Sequence, residues 1–267
     1  MTENQEPINL GQSEQATRLE KYFYFSRSPL YSVLFVVPLF LVYECLALLL
    51  HSLQITELRN GADVMLRQMA GVFGLDLFPA IVLVILAVLG VIAGTYRNQT
   101  NMEMVPSYFF LMFLESAIFA WMMGSIALNA TNFLLNIPAL FDLSMSPETS
   151  DLLVNIMLSF GAGIHEEFFF RLVLIQALLY LGSFVFRKDP EHPLFNWNSF
   201  QALLLSSFIF SIFHYVGEFG DTFLWTSFLF RWVSGLYLAV LYLFRGFGVS
   251  AWTHALYDLF LILGLLK

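Results

Sequence analysis

Gly163-Ile164-His165-Glu166-Glu167-Phe168-Phe169-Phe170-Arg171 places four ionisable side chains inside an apolar run that extends from Leu152 to Val185. A charged side chain near the centre of a bilayer costs about 2.5 to 3.5 kcal/mol on insertion scales, so a cluster of this kind points to a functional site with partners elsewhere in the chain. Helical geometry divides its members. Glu167 and Arg171 are four residues apart and share a face, where they can pair. Glu166 is turned about 100° away and is the freer carboxylate. The competing reading is a buried ion-pair knot that only ties helices together.

Outward from this stretch the composition is that of a membrane protein. Of 267 residues, 58% are hydrophobic, 12% are charged and thirty are Phe, with a mean hydropathy of +0.73. That excludes an ordinary soluble domain. The net charge of -8 comes mostly from tails and loops, and no basic patch exists for nucleic acid. Cys45, the single cysteine, excludes an internal disulfide and a cysteine-based metal site.

Taking about 20 residues as one crossing, seven spans are expected in an all-α bundle. They run from about Leu30 to Leu50, Leu77 to Thr95, Pro106 to Leu128, Leu152 to Val185, Phe200 to Val216, Thr222 to Phe244 and Phe247 to Leu266. Residues 1–28 form a polar tail without a cleavable leader, and residues 29–267 form the transmembrane domain. The fourth span is longer than a straight crossing needs, which predicts a tilt or a bend near Gly161 and Gly163. The stretch 187–198 reads as a loop, and 129–150 as an ordered outer loop or a surface helix lying over the bundle. Arg18, Lys21, Arg27, Arg97, Arg187, Lys188 and Arg245 fall on one side, against Arg59, Arg67 and Lys267 on the other, which predicts the N-terminus inside.

Two further spans supply candidate partners. His214 follows Phe210 by one turn, and His254 precedes Asp258 by one turn, so Phe210 can flank one imidazole while Asp258 holds the other in one tautomer. Three helices thus offer Glu166, His214 and His254 to a shared site. Since the three lie at different depths in their spans, staggered or irregular helices are required. Glu44 can line the same cavity or bond to a neighbouring helix. Glu115 and Arg231 can pair with each other or with loop groups, and His165 can tune Glu166 or face another helix. Gly235, Gly246 and Gly248 are expected at close helix approaches and at the turn between the last two spans.

In order along the chain, Glu166-Glu167-Phe168-Phe169-Phe170-Arg171, Phe210-Ser211-Ile212-Phe213-His214 and His254-Ala255-Leu256-Tyr257-Asp258 resemble the motifs of the CAAX protease and bacteriocin-processing family, also called CPBP or Abi. The resemblance covers roughly residues 152–266. It implies an intramembrane endopeptidase of glutamic type, acting on a membrane-associated peptide or protein, with no cofactor, in the inner membrane of a bacterium. By motif position Glu166 would activate water, His214 would help to hold it, and His254 with Asp258 would stabilise the oxyanion, with Glu167, Arg171 and Phe210 in support. Many members carry Asn where this chain has Asp258, and an ionised Asp cannot donate a hydrogen bond, so Asp258 is assigned to orienting His254.

Three other functions are compatible with these residues. Glu166, His214 and His254 are an acceptable zinc set for a metalloprotease, although the His-Glu-x-x-His spacing is missing. A proton-coupled transporter would use intramembrane Glu and His residues but predicts paired broken spans in two related halves, which the sequence lacks. An immunity or scaffold protein would keep the fold without turnover.

Overall fold

The computed structural model describes residues 17–72, 90, 94, 104–136, 152–186, 197–217 and 220–266. The described elements are all helical. In chain order they are α1 (Arg18–Ser26), α2 (Pro29–Ser52), α3 (Gly61–Val72), α4 (Pro106–Leu135) and α5 (Leu152–Gly161). Two π-helical segments, Ala162–Glu166 and Phe168–Ile175, then lead into α6 (Gln176–Phe186), followed by α7 (Trp197–Phe213), α8 (Trp225–Arg245) and α9 (Phe247–Ile262). The expected span from Leu77 to Thr95 and most of the expected loops lie outside the described residues.

Local sequence sets the helix starts. Ser28 caps α2 through a bond to the Tyr31 amide, with Pro29 at the first position, where its missing N–H costs nothing. Thr17 and Glu20 form a reciprocal capping box on α1. Gly246, at φ +84°, makes the turn between α8 and α9, a conformation that favours glycine.

α9 is the hub of the bundle. It packs against α2, α4, α5, α8 and the first π segment. Gly248, Ser250, Ala251, Thr253 and Ala255 are small enough to admit neighbouring backbones on several sides, and nearly every residue from Phe247 to Tyr257 is buried. Trp252 donates from its ring nitrogen to the Phe35 carbonyl at 2.7 Å, locking α9 to α2. At 16 residues α9 is short for a crossing, which its enclosure by other helices explains.

α2, α4 and α8 are long and apolar enough to cross a membrane, and α7 is a shorter apolar helix of 17 residues. Their outward faces carry exposed Leu41, Val42, Leu48, Phe110, Trp121 and Val240. Apolar surface on this scale belongs against lipid, and the protein is an integral membrane protein built as an all-α bundle.

Of the two pairings open to Glu115 and Arg231, the structure does not pair them with each other, and Arg231 finds a loop group. Glu115 binds Arg245 at 2.7 Å and accepts from Tyr22 at 2.6 Å, clipping α1 and α8 to α4, while Arg231 pairs with Asp221 in the segment after α7. Part of the stretch 129–150 is helical: α4 continues past the expected end of the third span to Leu135 and ends at Asn136, in the left-handed conformation that closes many helices.

Candidate active site

The irregularity expected in the fourth span takes the form of π-helix, beginning directly after Gly161 and enclosing the charged cluster. Wider turns of this kind shift the register of the side chains that follow them and occur often at functional sites. Here two adjacent carboxylates reach opposite neighbours. Glu166 turns to the segment before α3 and to the end of α7; Glu167 turns to α9.

Glu167 is fully buried and is the anchor of the site. One of its oxygens accepts from His254 Nδ1 at 2.9 Å, and the other accepts from Ser250 Oγ at 2.6 Å and lies 3.3 Å from Arg171 Nε. The contact with Arg171 is an ion pair without hydrogen-bond alignment, since that nitrogen has no hydrogen-bond partner. Arg171, 1% exposed, also lays its guanidinium over the Phe210 ring at 4.4 Å and donates to the Gly235 carbonyl at 3.4 Å. A buried charge needs such compensation, and removing one partner would leave the other exposed to the low-dielectric interior.

His214 is the first residue past α7, and its Nδ1 donates back to the Phe210 carbonyl at 2.9 Å, satisfying one of the free carbonyls at that helix end. With the Nδ1 proton committed there, Nε2 faces Glu166 Oε2 at 3.9 Å. The Phe210 ring lies 5.0 Å from His214 and 5.9 Å from His254, centroid to centroid, so one aromatic side chain separates the two imidazoles.

Asp258 lies beside the His254 ring, as expected, but a second carboxylate holds that ring as well. The direct bond that fixes His254 comes from Glu167; Asp258 lies 3.7 Å from His254 Nε2, on the other ring nitrogen. Helical spacing alone shows the i,i+4 neighbour and hides a partner on a different helix.

The sequence reading missed Asn60. Its side-chain amide donates to Glu166 Oε1 at 2.8 Å from the segment between α2 and α3. The polar run Arg59-Asn60-Gly61-Ala62-Asp63 was the available signal, but no spacing rule connects it to a residue 106 positions away. Around it lies a second charged group. Asp63 accepts from Tyr43 at 2.7 Å, from Arg67 at 2.6 Å and from Arg59 at 3.1 Å, and Glu44 lies 3.4 Å from both arginines. His165 stacks edge-on against Tyr43 at 4.9 Å, with its Nε2 3.8 Å from Asp63, so it turns away from Glu166.

For a metal, the described residues bring together one set of three donors within 4.8 Å of one another: Glu44, Asp63 and His165. Two arginines already oppose its carboxylates. Glu166, His214 and His254 do not form such a set.

Residues 148–260 match the family model described as type II CAAX prenyl endopeptidase Rce1-like, and the three motifs lie inside that segment. No curated protein and no solved structure matches the chain.

Proposed function

We propose that this protein is an intramembrane endopeptidase that hydrolyses a peptide bond with a water activated by Glu166, a reading supported by the match of residues 148–260 to the type II CAAX prenyl endopeptidase Rce1-like model. The observation that carries the reading is the 3.9 Å separation of Glu166 Oε2 and His214 Nε2. That span is too long for a direct hydrogen bond and suits one water held between a carboxylate and an imidazole acceptor.

In this mechanism the water oxygen attacks the carbonyl carbon while Glu166 takes its proton. His254 stabilises the developing oxyanion from Nε2, and because its Nδ1 proton is committed to Glu167 it acts in the doubly protonated form, between Glu167 and Asp258. The tetrahedral intermediate collapses, the C–N bond breaks, and Glu166 returns its proton to the leaving amine. Arg171 and Phe210 keep the two imidazoles apart and in place. The substrate class is a membrane-anchored peptide or protein tail. The family description names a CAAX prenyl endopeptidase, and the hydrolytic residues themselves make no demand for a prenyl group.

The test uses liposomes and quenched fluorescent peptides, some anchored by a transmembrane segment and some by an S-prenylated C-terminus. Wild type, Glu166→Gln, His214→Ala and His254→Ala are compared with and without a strong chelator. Cleavage that resists the chelator and is lost in all three folded variants supports the glutamic mechanism. Chelator-sensitive cleavage restored by zinc would replace it with a metalloprotease, and full activity in Glu166→Gln would remove Glu166 as the base.

A further inference from the structure

The segment ahead of α3 lies outside the matched residues 148–260, yet it supplies a neighbour of the proposed base. Asn60 is buried, and both ends of its amide are used. Nδ2 donates to Glu166 Oε1 at 2.8 Å, and Oδ1 accepts from the Ala62 amide at 2.9 Å, which fixes which end of the group faces the carboxylate. On either side, Arg59 and Asp63 are tied together and to α2 through Glu44 and Tyr43, so the backbone carrying Asn60 is held at both ends. Space for it is made on the other side by Gly161, where an added Cβ would come within 2.9 Å of Asn60 Cβ and 2.6 Å of the Tyr43 ring.

We propose that Asn60 is a positioning residue of the active site, holding one oxygen of Glu166 so that the other is presented to the water shared with His214. This rests on Glu166 being the base. A carboxylate attached to the chain by three rotatable bonds has no fixed direction of attack; a donor anchored on a different element removes that freedom before the substrate arrives. The N-terminal half therefore takes part in the chemistry and does more than enclose the helices that carry the motifs.

The experiment compares wild type, Asn60→Asp, Asn60→Ala and Glu166→Gln in liposomes, on whichever anchored peptide the wild type cleaves fastest. Asn60→Asp keeps the acceptor for the Ala62 amide, and with it the turn into α3, but presents an oxygen to Glu166 in place of a donor. The expected result is a fall in kcat of about 10- to 100-fold in both Asn60 variants, the scale of one hydrogen bond to a charged group, with KM within about twofold. A second readout needs no substrate. The infrared carboxylate band that disappears in Glu166→Gln is expected to move in Asn60→Asp and Asn60→Ala. Wild-type kcat in Asn60→Asp, or an unmoved band, overturns the proposal. An inactive Glu166→Gln beside a fully active Asn60→Asp removes the positioning role alone, whereas an active Glu166→Gln removes the base on which it rests.

Discussion

Gly163→Ala tests how closely the site depends on the seating of α9. A Cβ at Gly163 would stand 2.5 Å from the Ala251 carbonyl oxygen, 2.6 Å from Ala255 Cβ and 2.9 Å from the Ala255 nitrogen. Heavy atoms of this kind rest near 3.5 Å, and the obstacles are mainly backbone, so α9 must retreat by about 1 Å. His254 lies between those two alanines. Moved by that amount, its 2.9 Å bond to Glu167 lengthens to about 3.9 Å and is lost. Overpacking costs about 1 to 3 kcal/mol and the charged hydrogen bond about 1.5 to 3 kcal/mol, together about 2.5 to 6 kcal/mol. At about 2 to 4 °C per kcal/mol for a domain of this size, the unfolding temperature in detergent should drop by about 5 to 24 °C. Turnover should fall about 100-fold below the unfolding temperature, the usual consequence of a 1 Å misplacement in a catalytic constellation. Gly90→Ala is the control, because an added Cβ there meets nothing within 4 Å. If Gly163→Ala unfolded and turned over like wild type, the close contact between the π segment and α9 would not be what sets His254.

Glu167→Gln should separate from Glu166→Gln by its effect on stability. Glu167→Gln leaves Arg171 buried without its counter-ion, at about 3 to 5 kcal/mol, and thermal unfolding should register it, whereas Glu166→Gln should lose cleavage with unfolding close to wild type. Equal unfolding temperatures in the two variants would show that the carboxylates are not divided in this way. Asp258→Asn, which keeps the shape near His254 Nε2 and adds a donor, is expected to hold kcat within about threefold. Asp258→Ala should lower it by about tenfold, equivalent to about 1.4 kcal/mol. Kinetics on the same anchored peptide decides the point, and identical losses in both would assign the role of Asp258 to its carboxylate charge and not to its shape.

Much of the architecture was legible because lipid imposes simple demands. Runs such as Pro29 to Ser52 and Pro106 to Leu135 declare helices by length and hydropathy. The cluster at Glu166 was conspicuous for the same reason, since charge is rare in such runs. What escaped were relations between helices. Nothing in the spacing of Glu115 points to Arg245, 130 residues later, and nothing ties Asn60 to Glu166. The role of Glu167 escaped too. An α-helical wheel pairs it with Arg171 and stops there, while its bonds to His254 and Ser250 depend on π turns and on the approach of α9. A regular wheel has no means of registering a changed pitch.

The position of α9 has a consequence for the timing of biosynthesis. Its partners α2, α4, α5 and α8 all precede it along the chain, and it fills the space among them. While the protein is being inserted, Glu166 and His214 can already be in the membrane, but Glu167 has no His254 to hold and the bundle has no central strut. On the mechanism proposed above, a nascent chain would hold Glu166 before His254 is in place, and hydrolytic competence would arrive only after the last described helix has been delivered to the bundle.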